Sequence, residues 1–356
     1  MAVPDSKPLI TTIIPTYRRP RLLRRAIESV LAQTYPHFQI CVYDNASGDE
    51  TATVVRTLAK ADPRVKYHCH PENIGSFKNF VYGVEHVETP FFSLLSDDDL
   101  LLPDMYQVAL AGIDEFPEAL ISITGTIHLD EQARRVLSVP ILSWRPGLHT
   151  PPEGMLALLQ DPQPAVWTGM LFRREVLEKV GNFDEEARND VDLDFELRIA
   201  AHFPIVVSLK PVAIHVIHSG CQNVTATFEQ RYGGWPKIIR KITSDEAIPY
   251  HARRQAADIL NERLKTWLSG VLPRFIVRGE WENFDKAIDM LQDCCHPTLR
   301  SSLLRVLART CRSIPPVHVL LKGVRALRRF VFSSVPVSSD KELQSRYGAY
   351  VRYLDF

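Results

Sequence analysis

Three consecutive carboxylates, Asp97, Asp98 and Asp99, follow the apolar run Phe91–Leu95. Such a run predicts a β-strand that is buried on both faces, where charge is tolerated only at the point where the strand emerges. Carboxylates this close raise one another's pKa unless a cation or water screens them. A hard divalent cation such as Mn²⁺ or Mg²⁺ prefers oxygen ligands, so the triplet predicts a metal site. The alternative is a solvated acidic turn that caps a helix starting near Pro103.

Strand-like and helix-like segments alternate before and after the triplet. The predicted strands are 9–14, 38–43, 65–69, 91–95, 120–129 and 166–173, and the first predicted helices are 21–33, 50–61 and 76–86. This alternation predicts an α/β fold with a mainly parallel sheet flanked by helices. In open sheets of this kind ligands bind at the carboxyl ends of the strands, where the triplet falls. No G-x-G-x-x-G follows the first strand and the chain has no P-loop motif, which argues against a dinucleotide-binding Rossmann domain.

Composition narrows the class of protein further. The chain has 356 residues, of which 45% are hydrophobic, so it can build a full core and more than one domain. Lys plus Arg and Asp plus Glu both number 42, which gives no reason to expect a polyanionic partner. The six cysteines lack zinc-ligand spacing, so we expect reduced thiols in a cytosolic protein. We find no apolar run of the roughly 18–20 residues that a membrane span needs, and nothing that marks export.

The C-terminal third differs in character. Helices are predicted at 227–243, 250–272, 280–293, 298–312 and 317–332, separated by prolines, and no acidic residue lies between Asp293 and Asp340. Basic amphipathic helices suit an anionic membrane surface, where each Lys or Arg adds about 1 kcal/mol, so residues 298–332 are a candidate membrane surface. The alternative is a packed helical subdomain with a solvated basic face. Nucleic acid is not expected, because no binding motif or aromatic interleaving accompanies the charge.

Several segments, taken in order, resemble the family 2 glycosyltransferases. They are Thr11–Pro20, Ala26–Tyr35, Tyr43–Ser47, Asn73–Gly75, Asp97–Asp104 and Val180–Glu185. The similarity covers roughly residues 8–220, and six motifs in order are stronger evidence than any one of them alone. It implies a GT-A fold, Rossmann-like, in a catalytic domain of residues 1–224. Residues 225–356 would then form a helical C-terminal domain.

The resemblance implies a nucleotide-sugar site with a metal beside it. The implied nucleotide-sugar residues are Pro15, Thr16, Tyr17, Arg19, Asp44, Asn73, Lys78, Ser96 and Asp97. Asp44 would accept a hydrogen bond from the nucleotide base, and a turn aspartate is the alternative. Asp98 matches the metal-binding carboxylate, and His218 matches a histidine that touches the metal or the diphosphate, with a structural histidine as the alternative. Ser96 stands where the family has its first aspartate, which leaves the roles within the triplet open.

The segment Asn189–Arg198 resembles the start of the family's acceptor-side helix, with Val191 in place of a glutamate. Counting back from Arg198 puts Asp192 at the position of the catalytic base, with Asp190 as its rival. The alternative is a helix N-terminus whose dipole favours aspartates by about 0.3–1 kcal/mol each. The residues implied on the acceptor side are Trp167, Thr168, Gly169, Asp190 and Asp194.

The function that the resemblance implies is a metal-dependent inverting glycosyl transfer, with Mn²⁺ or Mg²⁺. UDP-sugars are the commonest donors in the family, and dTDP- or GDP-sugars are not excluded. The acceptor would be a saccharide or lipid-linked saccharide in cell-surface polysaccharide biosynthesis. We expect a cytoplasmic protein, with the inner face of the cytoplasmic membrane as a candidate peripheral location.

Two alternatives of other classes stay open at this point. Because Ser96 and Val191 depart from the family's acidic pattern, the chain could be a non-catalytic sugar-nucleotide binder or scaffold that keeps the fold. A nucleotidyltransferase is a third reading. It would carry a Gly-rich basic loop after the first strand, and Pro15–Pro20 is not such a loop.

Overall fold

The computed structural model describes residues 7–140, 144–160, 167–220, 226–294, 299–313 and 340–355. These residues form two compact units. The first contains residues up to 185, residues from 190 to the gap after 220, and residues 340–355, and the second contains 186–189 and 226–313. The change of unit near residue 225 coincides with the predicted domain boundary. The C-terminal segment, which we assigned to the helical domain from its sequence, instead packs with the first unit.

The first half of unit one alternates strictly between strand and helix. Its elements are β1 (Ile10–Thr16), α1 (Pro20–Leu31), β2 (Phe38–Asp44), α2 (Thr51–Ala61), β3 (Val65–Cys69), α3 (Ser76–Glu85) and β4 (Phe91–Leu94). All seven residues of β1 are buried, as expected for a central strand covered on both faces. In α1 the apolar residues recur at helical spacing, and Leu23, Ile27 and Val30 are fully buried.

The remainder of unit one is less regular. It contains β5 (Leu100–Leu101), α4 (Met105–Glu115), β6 (Ile121–Asp130), β7 (Arg135–Ser138), β8 (Gly147–His149), α5 (Glu153–Gln160), β9 (Met170–Arg173), α6 (Val176–Val180), α7 (Val191–His202), β10 (Ile205–Ile217) and α13 (Asp340–Tyr347). A 3₁₀ helix over Gly348–Asp355 follows α13. The strand predicted at 166–173 begins only at Met170, because Trp167–Gly169 form a 3₁₀ turn.

One mixed sheet collects the strands in the order β3-β2-β1-β4-β9-β6-β10-β5, with β7 beside β6 and β8 beside β10. Strands β3, β2, β1 and β4 pair parallel with one another in that order, and β6 pairs parallel with β10. Strand β9 joins these two parallel groups by pairing antiparallel to both β4 and β6. The predicted α/β class with a mostly parallel central sheet is confirmed.

Unit two is helical in every described segment: α8 (Phe228–Tyr232), α9 (Trp235–Ser244), α10 (Tyr250–Arg278), α11 (Trp281–Cys294) and α12 (Leu299–Ser313). The expectation that a helix ends before Pro273 was wrong, because α10 continues through it to Arg278. Every fourth residue from Ala252 to Ile276 is buried, and this stripe continues across the proline. Burial of Leu272 and Ile276 offsets the roughly 3 kcal/mol that an interior proline costs.

The predicted basic surface is only partly described, since 317–332 lies outside the described residues. In α12, Arg312 donates to Asp285 at 2.7 Å and lies over the Trp281 ring. That arginine therefore helps to pack the helix, as in the alternative interpretation. Leu303 and Val306 on the same helix are about 60% exposed. No helix in the described segments is long and apolar enough to cross a bilayer.

Candidate active site

The carboxyl ends of β2, β1 and β4 lie side by side at one edge of the sheet. Thr16, the last residue of β1, is directly opposite Asp44, the last residue of β2. The Thr16 hydroxyl donates to Asp97 Oδ2 at 2.7 Å, across from the loop that follows β4. The three predicted donor-side positions therefore meet at one place, as the parallel arrangement requires.

Asp97 lies in the acidic triplet with two donors on its carboxylate. Besides Thr16, Arg19 Nη1 donates to Asp97 Oδ1 at 3.1 Å. Burial and the neighbouring charge of Asp98 raise the pKa of Asp97 to about 6, although Arg19 and Thr16 oppose that increase. The side chain is 6% exposed, so the triplet is not the solvated turn of the alternative interpretation.

Asp98 is bound by Arg19 and His218. Arg19 Nη1 donates to Asp98 Oδ2 at 2.8 Å, and His218 Nε2 lies 3.0 Å from the same oxygen. The Gly220 N–H donates to His218 Nδ1 at 3.1 Å, so the imidazole proton is on Nε2 and points to Asp98. Arg19 Nη2 also donates to the Gly220 carbonyl at 2.7 Å. His218 and Asp98, the two residues predicted to bind the metal, are therefore in direct contact, and Arg19 joins them.

The donor chemistry of this corner suits a divalent cation. Arg19 Nη1 lies between Asp97 Oδ1 and Asp98 Oδ2, so a positive charge already occupies the space between two hard oxygen donors. Within the described segments, no three His, Cys, Asp or Glu side chains are arranged to hold a metal by themselves. Mg²⁺-type ions are commonly bound by one or two carboxylates plus substrate phosphates and water. Asp97 and Asp98 fit that kind of site, whereas His218 in this tautomer supports Asp98 instead.

Asp99 points away from this corner and is 1% exposed. It accepts hydrogen bonds from the Thr168 hydroxyl at 2.6 Å, the Val216 N–H at 2.9 Å and His215 Nδ1 at 3.1 Å. Burial alone would raise the pKa of Asp99, but the charge of His215 and these three donors lower it overall. Asp99 thus ties the triplet to β10 and to the segment before β9.

Asp192 is half-buried in the first turn of α7, and its Oδ1 accepts the Leu193 N–H at 2.8 Å. Burial raises its pKa, against the opposing effects of that N–H and of His215. His215 interacts electrostatically with Asp99, Asp98 and Asp192, and together they raise its pKa although burial would lower it. His215 therefore interacts with both the triplet and the predicted base. In the sequence it was only the second candidate, after His218, for the histidine that touches the metal or the diphosphate.

Asp194 and Asp190, the other two aspartates of the segment Asn189–Arg198, differ from Asp192 in their surroundings. Asp194 is 1% exposed and accepts Arg198 Nε at 2.9 Å, while Arg198 donates to the carbonyls of Val180 and Asn182 at 2.8 Å. Asp194 therefore fastens α7 to the loop before it, and the predicted acceptor-side role does not match this buried geometry. Asp190 immediately precedes α7 and is partly buried, so it stays the rival of Asp192.

Glu196, one turn after Asp192, is a buried carboxylate that the sequence analysis missed. It is 2% exposed, and neither carboxylate oxygen has a hydrogen-bond partner among the residues that the structure describes. Burial and the charge of Asp192 raise its pKa well above the ordinary value. A carboxyl group in this setting is neutral in the folded protein over a wider pH range than in the unfolded chain.

We expect Glu196→Gln to stabilise the protein at alkaline pH. A folded-state pKa above the unfolded value means that stability is lost as pH rises from the unfolded pKa through the folded one. The amide cannot ionise, so the variant should gain roughly 1–3 kcal/mol at high pH and nothing at low pH. Thermal unfolding across pH 5 to 9 measures this, with exposed Glu118→Gln as control. Parallel pH curves for the variant and the wild type would contradict it.

The last residue of β2, Asp44, is the predicted base-binding residue. Asp44 is 1% exposed, and its oxygens accept the Ser47 N–H at 2.9 Å and the Tyr67 hydroxyl at 2.6 Å. This is the turn geometry of the alternative interpretation, and each carboxylate oxygen keeps capacity for one further donor. Asn73 accepts from Asn45 Nδ2 at 3.0 Å, which joins the second and third βα loops.

The other predicted donor-side residues vary in exposure. Tyr17 is 39% exposed with Arg18 over its ring, Lys78 is exposed, and Pro15 is buried in β1. The Ser96 carbonyl accepts the Asp99 N–H at 3.1 Å and so shapes the turn of the triplet. Tyr17 and Lys78 are therefore available to a ligand, whereas Pro15 and Ser96 act through the backbone they position.

The acceptor-side turn Trp167–Gly169 is largely internal. Trp167 packs against Phe80 and Phe183, with ring centroids 4.6 and 5.8 Å away. A Cβ on Gly169 would lie 2.6 Å from Thr126 Oγ1, so only glycine allows this close approach. Thr168 acts on the acidic triplet through its hydrogen bond to Asp99. Trp167 alone is partly exposed and able to contact a sugar.

Comparison with known proteins gives a family match and several relatives. Residues 11–181 match the family "Glycosyl transferase family 2". A Rickettsia bellii protein named "Uncharacterized glycosyltransferase" is 27% identical over 68% of this chain and 35% of its own length. The GalNAc(5)-diNAcBac-PP-undecaprenol beta-1,3-glucosyltransferase of Campylobacter jejuni is 36% identical over 34% of this chain and 41% of its own length. The chain thus spans well under two thirds of the length of each of these two relatives.

Solved structures share the fold. TarS 1–349 of S. aureus, in complex with UDP-GlcNAc, has a TM-score of 0.66 at 17% identity, covering 93% of this chain and 95% of that one. The mannosyltransferase PcManGT of Pyrobaculum calidifontis, in complex with GDP-Man and Mn²⁺, has a TM-score of 0.52 at 16% identity, covering 91% and 88%. The GT-A fold implied by the sequence resemblance is therefore confirmed. The match to glycosyl transferase family 2 covers residues 11–181, a little under half of this chain.

Proposed function

We propose that the chain transfers a sugar from a nucleoside-diphosphate sugar to a hydroxyl of a saccharide acceptor, in one displacement that inverts the anomeric carbon. The observation that carries this proposal is that His215, whose Nδ1 lies 3.1 Å from Asp99 Oδ1, also interacts electrostatically with Asp98 and with Asp192. A leaving-group site and a general base are thereby close to one another, which a single displacement requires. A retaining path would instead need a nucleophilic carboxylate beside the anomeric carbon.

On the donor side, the residues around Arg19 would bind the diphosphate. The Arg19 guanidinium lies at the mouth of the corner formed by Asp97 and Asp98 and presents planar donors that suit phosphate oxygens. When bound by Asp97 and Asp98, a divalent cation, Mn²⁺ or Mg²⁺, would neutralise charge that builds on the departing diphosphate. A UDP-sugar is the proposed donor, in line with the UDP-GlcNAc complex of the TarS structure.

On the acceptor side, Asp192 would take the proton from the attacking hydroxyl. Burial raises its pKa, which makes it a stronger base than an exposed aspartate, and the neighbouring His215 opposes part of that increase and so favours the ionised form. Trp167, one of the predicted acceptor-side residues, is partly exposed and offers an aromatic face to a sugar ring.

A lipid-linked saccharide in cell-surface polysaccharide biosynthesis is the proposed acceptor class. The name of the Campylobacter jejuni relative specifies an undecaprenol-linked substrate. Leu303 and Val306 of α12 are exposed large apolar side chains on a helix with several arginines, a composition that suits an anionic membrane surface. A cytoplasmic enzyme that acts at the inner face of the membrane stays our prediction.

Calorimetry of the purified protein against UDP, dTDP, GDP and CDP, each with and without Mn²⁺, tests the donor proposal. We expect one nucleotide to bind at least about tenfold more tightly when Mn²⁺ is present, because the cation screens carboxylates and phosphate together. That nucleotide names the donor class. Binding of none of the four would contradict glycosyl transfer by this chain.

The alternative function is a non-catalytic binder of sugar nucleotides. One observation favours it: Arg19 and His218 both contact the same carboxylate oxygen of Asp98. A binder of this kind would show nucleotide affinity in calorimetry but no sugar transfer or donor hydrolysis. Turnover that depends on Asp192 excludes it.

A further inference from the structure

One face of α1 holds the backbone of the loop that carries the acidic triplet. Arg25, Ser29 and Gln33 follow one another at intervals of four residues. Arg25 Nη2 donates to the Asp98 carbonyl at 3.2 Å, and Ser29 Oγ accepts the Leu101 N–H at 3.1 Å. Gln33 Nε2 donates to the Leu102 carbonyl at 2.6 Å. A spacing of four places Arg25 and Ser29 on one side of α1, and Gln33 lies two residues beyond its end, so three contacts in a row fasten the loop.

Arg25 differs from the other two residues because it also reaches the end of the chain. Its Nη1 donates to the Leu354 carbonyl at 3.3 Å and to Glu131 Oε1 at 3.0 Å. The residue is 4% exposed, so its charge depends on these partners. One buried guanidinium therefore joins the backbone of Asp98 to a residue 256 positions later in the chain.

Residues 340–355, which we call the C-terminal clasp, have further anchors on the sheet. Gln344 exchanges two hydrogen bonds with the backbone of Val136, at 3.1 and 2.6 Å. Tyr347 and Leu354 are buried in an apolar cluster that also contains Leu100, Leu102, Ile214 and Val216. Leu100 directly follows the triplet, and Val216 donates its N–H to Asp99. The clasp thus packs on β5, which follows the triplet, and on β10, which holds Asp99.

We propose that the C-terminal clasp, acting through Arg25, positions Asp98 for metal and diphosphate binding. The inference rests on the function proposed above and identifies Arg25 as a positioning residue for that site. Loss of the clasp would leave Arg25 with fewer acceptors and remove apolar contacts from Leu100 and Leu102. Displacement of a functional group by about 1 Å can cost roughly 10²-fold in activity, so anchoring of this loop matters for function as well as for folding.

The test uses the full chain and three variants. Arg25→Gln removes the bridge, Gln344→Ala loosens the clasp at its half-buried edge with little risk to folding, and exposed Arg24→Gln is the matched control. Hydrogen exchange of the amides of residues 97–102 reports anchoring of the loop without any ligand. We expect at least about tenfold faster exchange in Arg25→Gln, a smaller increase in Gln344→Ala, and no change in the control.

The second readout is the affinity for UDP with Mn²⁺ at a temperature well below unfolding. We expect about a tenfold loss for Arg25→Gln with little change in affinity for UDP alone, a difference that general destabilisation does not produce. Unchanged exchange at residues 97–102, or a Mn²⁺-dependent affinity within about twofold of wild type, would overturn the proposal. If the wild type binds no nucleotide, the proposed function fails, and faster exchange would still support the link between clasp and loop.

Discussion

Replacing Asp192 by Asn should lower kcat for sugar transfer by about 10²–10⁴-fold while the affinity for nucleotide stays within about twofold of wild type. The amide keeps the size of the side chain and the hydrogen bond from Leu193 but cannot accept a proton. Because Asp192 lies on the acceptor side of His215, it is not expected to touch the nucleotide. The measurement is initial-rate transfer with the donor that calorimetry identifies, beside calorimetry of the variant.

Asp190→Asn is the matched control for this prediction, since Asp190 is two residues away at the start of the same helix. It should keep most of the wild-type kcat. A loss in Asp190→Asn with activity retained in Asp192→Asn would transfer the role of base to Asp190. In the wild type, the raised pKa of Asp192 predicts that kcat falls as pH decreases through that value, because only the ionised carboxylate accepts the proton.

The second large effect is expected at Asp98. Asp98→Ala should weaken Mn²⁺-dependent nucleotide binding by roughly 100-fold or abolish it, because it removes one of two carboxylates that would hold the cation. It also leaves Arg19 and His218 without their shared acceptor. Calorimetry with the preferred nucleotide, with and without Mn²⁺, gives the loss, and far-ultraviolet circular dichroism verifies that the fold persists.

Asp104→Ala is the control for charge alone. Asp104 lies just beyond the same loop and pairs with Lys210 at an exposed position. We expect its Mn²⁺-dependent affinity to stay within about twofold of wild type, as for most surface substitutions. Equal losses in both variants would mean that the general negative charge of this region attracts the cation. Unaltered binding in Asp98→Ala would remove Asp98 from the site.

Much of the fold was predictable because it depends on local pattern. The apolar runs and the helical spacing of Leu23, Ile27 and Val30 define β1, α1 and β2 within a few residues. The alternation of these elements then restricts the sheet to a mainly parallel one. The extension of α10 through Pro273 was not predictable, because a buried stripe that is spread over many turns outweighed a strong local signal.

The candidate site was predictable to the extent that it lies where strands end. Thr16, Asp44 and the triplet could be placed at one edge because parallel strands share a direction. The roles of the individual aspartates within the triplet were not predictable, since they depend on which distant side chain reaches each carboxylate. Arg19 reaches Asp97 and Asp98, while His215 and Thr168 reach Asp99. Asp194 was assigned to the acceptor side because the sequence does not show that this side chain is buried and paired with Arg198.

By itself, the sequence determined the class of fold, the edge of the sheet that carries the chemistry and the carboxylates that could perform it. These follow from the period of apolar residues and from the cost of burying charge inside a strand. The tertiary structure alone decided how the carboxylates are divided between Arg19 and His215, that Glu196 is buried without a partner, and that Arg25 joins Asp98 to Leu354. The physical reason is separation along the chain. These contacts join distant residues and depend on how whole helices and strands pack, whereas the periodic pattern extends over only a few residues.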